Sequence, residues 1–344
     1  WHRRRPGLYR RCGECAVSLP KVAAASSHQD YLNVKASYDR AVTEILEQIA
    51  TGCPACSSQG GVLKIGVTTL PDLPKDSTDR NRTSPLAFTG NKFEFRMVGS
   101  SASIAAAAFS LNAITAEILS QMADRLEKST SFETDVQKIL QEIARNHGRI
   151  IFNGNNYSDA WVAEAEKRGL PNIRSTVDAI PAIIAERNLL LFEKQGILSR
   201  HEMQSRYEIN LENYIKTINI EALTMLDMAK RQILPAVIKF AALLADSINA
   251  VKKTGVNADT SAQEDLLKEI STVMASFKRH VSALEKIVRQ APSRNGNSYK
   301  QASFYRDEVL VEMGDLRKDG DKLETLVDEE FWPMPTYEDL LFNI

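Results

Sequence analysis

The chain has 344 residues, with 43 Lys and Arg against 44 Asp and Glu, a formal net charge of -1, and 43% apolar side chains. That length suits roughly two domains of about 150 residues each, with ample apolar material for a core. A balance so near zero gives no whole-chain field to hold a nucleic-acid backbone, and 25% charged with 43% apolar residues excludes wholesale disorder.

The front of the chain has no sustained apolar period before residue 38. It begins at Trp1 rather than Met, which reads as a processed or truncated start, and residues 1–11 carry five Arg and no acid. That run is a basic arm or the end of a targeting segment. All four cysteines lie in the first 56 residues, as Cys12-Gly-Glu-Cys15 and Cys53-Pro-Ala-Cys56. Two such knuckles would supply four thiolates to a tetrahedral zinc, each pair approaching the metal from one tight turn. Against zinc, the interval between them is longer than in a usual ribbon and contains a helical pattern over 38–50, so free thiols are the other reading. An amphipathic helix with Val42, Ile45, Leu46 and Ile49 on one face ends before Gly52. A Gly/Ser/Pro/Cys linker over 51–61, an apolar stretch over 62–70 and a Pro- and Asp-rich loop over 71–79 follow.

Residues 91–98 alternate strictly. Strand side chains have a period of two, so Lys92, Glu94 and Arg96 share one face and Phe93, Phe95 and Met97 the other. A carboxylate flanked by cations two residues away on each side can bind a divalent metal while the cations hold phosphate oxygens. Arg82, on the preceding loop, could add a guanidinium fork to the same face. The alternative is an exposed strand whose alternating charges only pair with one another and with neighbours.

Beyond residue 102 the pattern is almost wholly helical. Helices are expected over 102–128, 132–146, 158–169, 176–193, 199–231, 233–253, 262–290 and 300–330. Leu266, Ile270, Val273, Phe277, Val281, Leu284 and Val288 form one apolar stripe, and Val309, Met313, Leu316, Leu323 and Val327 form its partner. The two read as a long antiparallel helical hairpin. No window reads as membrane-spanning: 97–116 is mostly Ala and Ser, and 233–245 is short and interrupted by Lys239. His147, His201 and His280 are scattered on helices without a second ligand at suitable spacing and read as surface or capping residues. No phosphate-binding glycine loop, nucleophile elbow or dinucleotide fingerprint is present.

Three stretches carry a resemblance. Asp79-Arg-Asn-Arg-Thr-Ser-Pro-Leu-Ala-Phe-Thr-Gly-Asn-Lys-Phe-Glu-Phe-Arg-Met-Val-Gly-Ser-Ser101 resembles the signature of type III glutamine synthetases. The helical pattern over 205–224 and the ending Phe331-Trp-Pro-Met-Pro-Thr-Tyr-Glu-Asp-Leu-Leu-Phe-Asn-Ile344 resemble the carboxyl-terminal part of the same family. The likeness runs from about Thr43 to the end. It implies an α+β chain, mainly α, in which a remnant of the catalytic sheet precedes a large helical domain with the long hairpin. The implied division is an unmatched, poorly ordered front over 1–42, the carboxyl-terminal part of the catalytic domain over 43–128, and a helical domain over 129–344.

The resemblance also implies an activity, the ATP-dependent joining of ammonia to glutamate through a glutamyl phosphate. Position by position, Glu94 would be a metal-binding carboxylate near the ATP phosphates. Arg96 would hold the transferring phosphoryl group or substrate carboxylate, Lys92 would face the ATP phosphates, and Arg82 would stabilise the charge moving during transfer. The implied cofactors are ATP and Mg2+ (or Mn2+), and the implied partners are glutamate, ammonia and further copies in a large ring, without nucleic acid or membrane. The expected compartment is the cytoplasm, with a plastid as the alternative. The family's front half, which supplies the other metal-binding glutamates and the adenine pocket, has no counterpart in residues 1–42, so a non-catalytic helical scaffold or regulatory subunit of the same descent is the alternative function. A zinc-knuckle interaction module fused to a helical bundle is the third.

Overall fold

The computed structural model describes residues 40–52, 103–151, 159–291, 297–335 and 337–342, together with the short strand segments 62–63, 73–74, 86–88 and 93–95. In the strands, and at 40–45, 337–338 and 342, only the backbone is described. Cys12, Cys15, Cys53 and Cys56 lie outside the described residues, and so does the zinc reading. The chain divides into two compact units, one reaching Tyr207 and the other running from Glu208 to Ile344.

The first unit opens with helix α1 (Arg40–Thr51), which ends at Gly52 with φ of 72°. A left-handed residue after the last turn stops a helix, and glycine adopts it without a Cβ clash. The strands are β1 (Val62–Leu63), β2 (Leu73–Pro74), β3 (Leu86–Phe88) and β4 (Phe93–Phe95). They form two separate antiparallel ladders, β1 with β2 and β3 with β4. Of the strand expected over 91–98, three residues are described as strand, and the ladders do not amount to a larger sheet among the described residues.

Helix α2 (Ala105–Leu126) is the Ala-rich helix, and α3 (Phe132–His147) packs against both α1 and α2. A 3-10 turn (Gly148–Ile150) and helix α4 (Asp159–Lys167) follow. Arg168 ties these ends together: Nη1 donates to the Ile151 carbonyl at 2.8 Å, Nε pairs with Glu164 at 2.6 Å, and the guanidinium lies 5.7 Å from the Trp161 ring centre. It thereby satisfies a carbonyl left over at the end of the turn.

The single helix expected over 176–193 is interrupted. Helix α5 (Thr176–Ala179) passes into a 3-10 segment (Ile180–Ile184) before α6 (Glu186–Lys194). The cause is Pro181, which has no N–H to donate and whose ring crowds the carbonyl four residues earlier. The core of this unit gathers Ala113 and Ile114 from α2, Leu191 and Phe192 from α6, and Met203 from α7 (Arg200–Met228). Phe109 meets Phe192 edge-on with ring centres 5.8 Å apart.

Helix α7 starts with a capping box. The Ser199 N–H donates to Glu202 Oε2 at 2.8 Å while the Glu202 N–H donates to Ser199 Oγ at 3.3 Å, so two otherwise unpaired donors are satisfied reciprocally. The unit boundary falls inside this helix.

In the second unit the helix does not break near residue 232 as the sequence reading had it. A π-turn (Ala229–Ile233) carries α7 directly into α8 (Leu234–Lys253), making one run of 54 residues. The Leu234 N–H bonds to the Ala229 carbonyl, five residues back, so the chain enters Pro235 with a widened turn that accommodates the missing donor. Joined in this way, Arg200–Lys253 is long and apolar enough, by length and composition, to cross a membrane. Core helices of soluble proteins pass the same test, and Val237 and Phe240 are buried in this unit's core.

Helix α9 (Ser261–Arg289) packs against α8 and against α11 (Leu310–Glu324), which is reached through α10 (Ser298–Phe304) and a second π-turn (Tyr305–Val309). Ile270, Phe277, Val281 and Leu284 of the expected stripe are at most 1% exposed, and Val309, Met313, Leu316, Leu323 and Val327 are buried in the same cluster. At Gly320 a Cβ would stand 3.4 Å from Phe277 Cε2, so the absent side chain lets α11 come close to that ring. The Tyr305 hydroxyl donates to Asn219 Oδ1 at 3.1 Å, which gives the buried phenol a partner on α7. A short helix α12 (Tyr337–Phe342) ends the described chain.

Candidate functional site

Among the residues assigned to chemistry, Arg82, Lys92 and Arg96 lie outside the described residues. Glu94 falls in β4, where only the backbone is described, and its Cα stands opposite that of Ala87 on β3. The ladder thus pairs the two short runs that carry the signature, Leu86–Phe88 and Phe93–Phe95, in antiparallel register. Backbone pairing of this kind places Phe93 and Phe95 on one face and Glu94 on the other; the shared face read for Lys92, Glu94 and Arg96 lies outside the described residues at both of its outer positions. No group of three or more His, Cys, Asp or Glu side chains is placed to hold a metal ion among the described residues.

Two polar clusters that sequence reasoning missed are described in full. Glu117, on α2, is 3% exposed and sits against the end of α6. Its Oε1 accepts from Lys194 Nζ at 2.7 Å and from Gln121 Nε2 at 2.8 Å, while Oε2 accepts from Gln195 Nε2 at 2.8 Å. Burial by itself would raise this carboxyl, but the hydrogen bonds from Lys194, Gln121 and Gln195 together outweigh it and hold the group down at about 2. A buried carboxylate held by three hydrogen bonds, two of them from the end of α6, is a fastener between helices. Its partners are 77 and 78 residues away, and nothing in the local sequence announces them.

The sign of the pH effect follows from the lowered value. A depressed carboxyl stabilises the fold at all pH above its unfolded value of 4.5, and that stability is lost as pH falls from there toward about 2. Glu117→Gln is therefore expected to lower the stability of this unit by about 1–3 kcal/mol at pH 7. The deficit should shrink as pH falls from 4.5 toward 2, as read from denaturant unfolding at a series of pH values.

The second cluster surrounds His280 on α9, whose Nδ1 lies 2.7 Å from Glu312 Oε1 on α11. This histidine was expected to be a surface or capping residue. It is half-buried and paired across two helices, and the partner 32 residues away is beyond the reach of any local spacing rule. His201 is exposed on α7, and His147, the last residue of α3, is held below the ordinary imidazole range by burial.

A groove of about 330 Å3 runs beside the first π-turn, floored by Leu223, Leu226 and Val288. Its rim is closed by paired charges, Lys230 with Glu285 at 2.7 Å and Arg231 with Asp227 at 3.0 Å.

The described helices and the signature ladder take their meaning from comparison with other proteins. Residues 135–252, from within α3 to the end of α8, match the family model described as the glutamine synthetase C-terminal domain. The chain is 38% identical over 287 residues to a protein of Dictyostelium discoideum named type-3 glutamine synthetase, a match covering 81% of this chain and 39% of that protein. It is 37% identical over 276 residues to a glutamine synthetase of Butyrivibrio fibrisolvens, covering 78% of this chain and 39% of the relative. To a glutamine synthetase of Bacteroides fragilis it is 32% identical over 308 residues, 87% of this chain and 42% of the relative. The family model and the three relatives together make the chain similar to glutamine synthetases, one of them named type 3. The chain spans about two fifths of the length of these curated relatives.

Proposed function

We propose that this chain is the carboxyl-terminal portion of a type III glutamine synthetase, which joins ammonia to glutamate at the expense of ATP through a glutamyl phosphate. What carries the reading is 38% identity over 81% of the chain to a protein named for that activity. In this reading residues 43–128 belong to the catalytic domain and contribute one strand of its sheet, and residues 129–344 form the helical domain. Helix α9 with α10 and α11 makes that domain's long antiparallel hairpin. The assembly is a large ring in the cytoplasm, with sites formed between neighbouring copies.

On the strand face, Glu94 would hold a divalent cation (Mg2+ or Mn2+), which when bound neutralises phosphate charge. Lys92 would pair with the ATP phosphates as a compact cation on a flexible stem. Arg96 would bind the phosphoryl group or the substrate carboxylate through two parallel N–H donations, and Arg82 would face the charge that moves as the phosphoryl group leaves ATP. The task of these residues is positioning and electrostatic stabilisation, and neither needs a nucleophile or a base on this strand.

The test is an assay on the protein purified from its source: glutamine formation from glutamate and ammonia. Activity that requires both ATP and Mg2+ supports the reading. Glutamine formation that persists without ATP, or its complete absence from an intact ring, would count against it.

A further inference from the structure

A histidine between two helices of the second unit is left unused by the synthetase reading. His280 has Nδ1 2.7 Å from Glu312 Oε1 and Nε2 3.9 Å from Asp319 Oδ2. The Asp319 oxygen is buried and has no hydrogen-bond partner. The side chains of His280, Glu312 and Asp319 are 31%, 17% and 22% exposed, so protons reach the trio although it is largely shielded.

The charged groups facing the ring come from α11. Glu312, Asp315 and Asp319 recur at helical spacing on one side of that helix. Asp315 is engaged by Lys318 at 2.6 Å, which leaves Glu312 and Asp319 to the imidazole. On α9 the residues three and four positions away are Ser276, Phe277, Ala283 and Leu284, none of them charged.

The donor count then decides what the ring can do. A neutral imidazole has one N–H, and an ionised carboxylate only accepts. The 2.7 Å contact with Glu312 places that N–H on Nδ1, so Nε2 presents a lone pair toward an acceptor. A second proton converts this acceptor-facing pair into a charge-assisted hydrogen bond and gives the orphaned Asp319 oxygen its partner.

We propose that His280 is a proton-operated clamp between α9 and α11, holding Glu312 alone when neutral and both Glu312 and Asp319 when protonated. The clamp is therefore closed at acid pH, where imidazoles carry both protons, and opens across the pH range in which they lose one. Acidification by two or three pH units across that range tightens the carboxyl-terminal helices without any change in their sequence partners.

The test is amide hydrogen exchange on the full 344-residue chain at pH 5.5 and pH 8, with rates corrected for intrinsic chemistry. Protection of α9 and α11 amides is expected to be about tenfold greater at the lower pH, the scale of one charge-assisted bond. That gain should disappear in both His280→Gln and Asp319→Asn, with amides of α2 and α6 unaffected. An equal pH response in the wild type and both variants would overturn the clamp. Should His280→Gln fail to fold, the wild-type imidazole 15N spectrum decides: Nδ1 protonated throughout and Nε2 protonated only at the lower pH supports the proposal, and Nε2 protonated at pH 8 sinks it.

Discussion

On the proposed synthetase reading, Glu94→Ala, introduced into the protein from its source, is expected to reduce ATP- and metal-dependent glutamine formation by about 10²–10³-fold while leaving the oligomer intact. The magnitude follows from removing a carboxylate that would hold the divalent cation, whose charge stabilisation is worth several kcal/mol where each 1.36 kcal/mol is tenfold in rate. The measurement is steady-state turnover at saturating ATP and Mg2+, alongside sedimentation of the variant. Full activity in a variant that assembles normally would remove Glu94 from the metal role. Arg96 and Lys92 would then lose their assignment as well, because the sequence alternation that assigns all three is one and the same.

Phe277→Ala is expected to destabilise the second unit by about 3–5 kcal/mol, the range for emptying a buried aromatic site. Phe277 is 1% exposed, lies in the cluster shared by α7 to α11, and has its Cε2 3.4 Å from where a Cβ at Gly320 would stand. Little relaxation is available, because α11 is already close to the ring and Leu284, Val281 and Leu316 around it are at most 1% exposed. Phe277→Leu, which keeps most of the volume, is expected to cost much less. Guanidinium unfolding followed by the helical signal measures both, and a loss under about 1 kcal/mol for the alanine variant would mean that the core collapses to fill the space.

Much of the helical unit was legible because amphipathic periodicity is a local property. The stripe from Leu266 to Val288 and its partner from Val309 to Val327 repeat at helical spacing, and the structure buries these positions wholly or in part. The expected starts at residues 132 and 262 stand within one residue of Phe132 and Ser261. The errors occur where a proline meets a helix. Pro181 breaks what was read as one helix, whereas Pro235 is absorbed by a π-turn where a break was read. The residue is the same, and the outcome depends on whether packing along the rest of the helix compensates for a widened turn.

The polar clusters divide along the same line. The capping box of Ser199 and Glu202 is written in four consecutive residues and could have been found by spacing. Glu117 with Lys194, and His280 with Glu312, join residues 77 and 32 positions apart. No pattern within one helix identifies such a partner.

The sequence by itself determined the helical character, the apolar faces and the likeness to glutamine synthetases, because each of these is carried by residues near one another in the chain. Only the tertiary structure decided that Arg200–Lys253 is one helix, that Glu117 is a buried carboxylate held by Lys194, Gln121 and Gln195, and that His280 stands between two acids. The physical reason is that burial and ion pairing are set by which helix faces which, and that choice is a property of the assembled core.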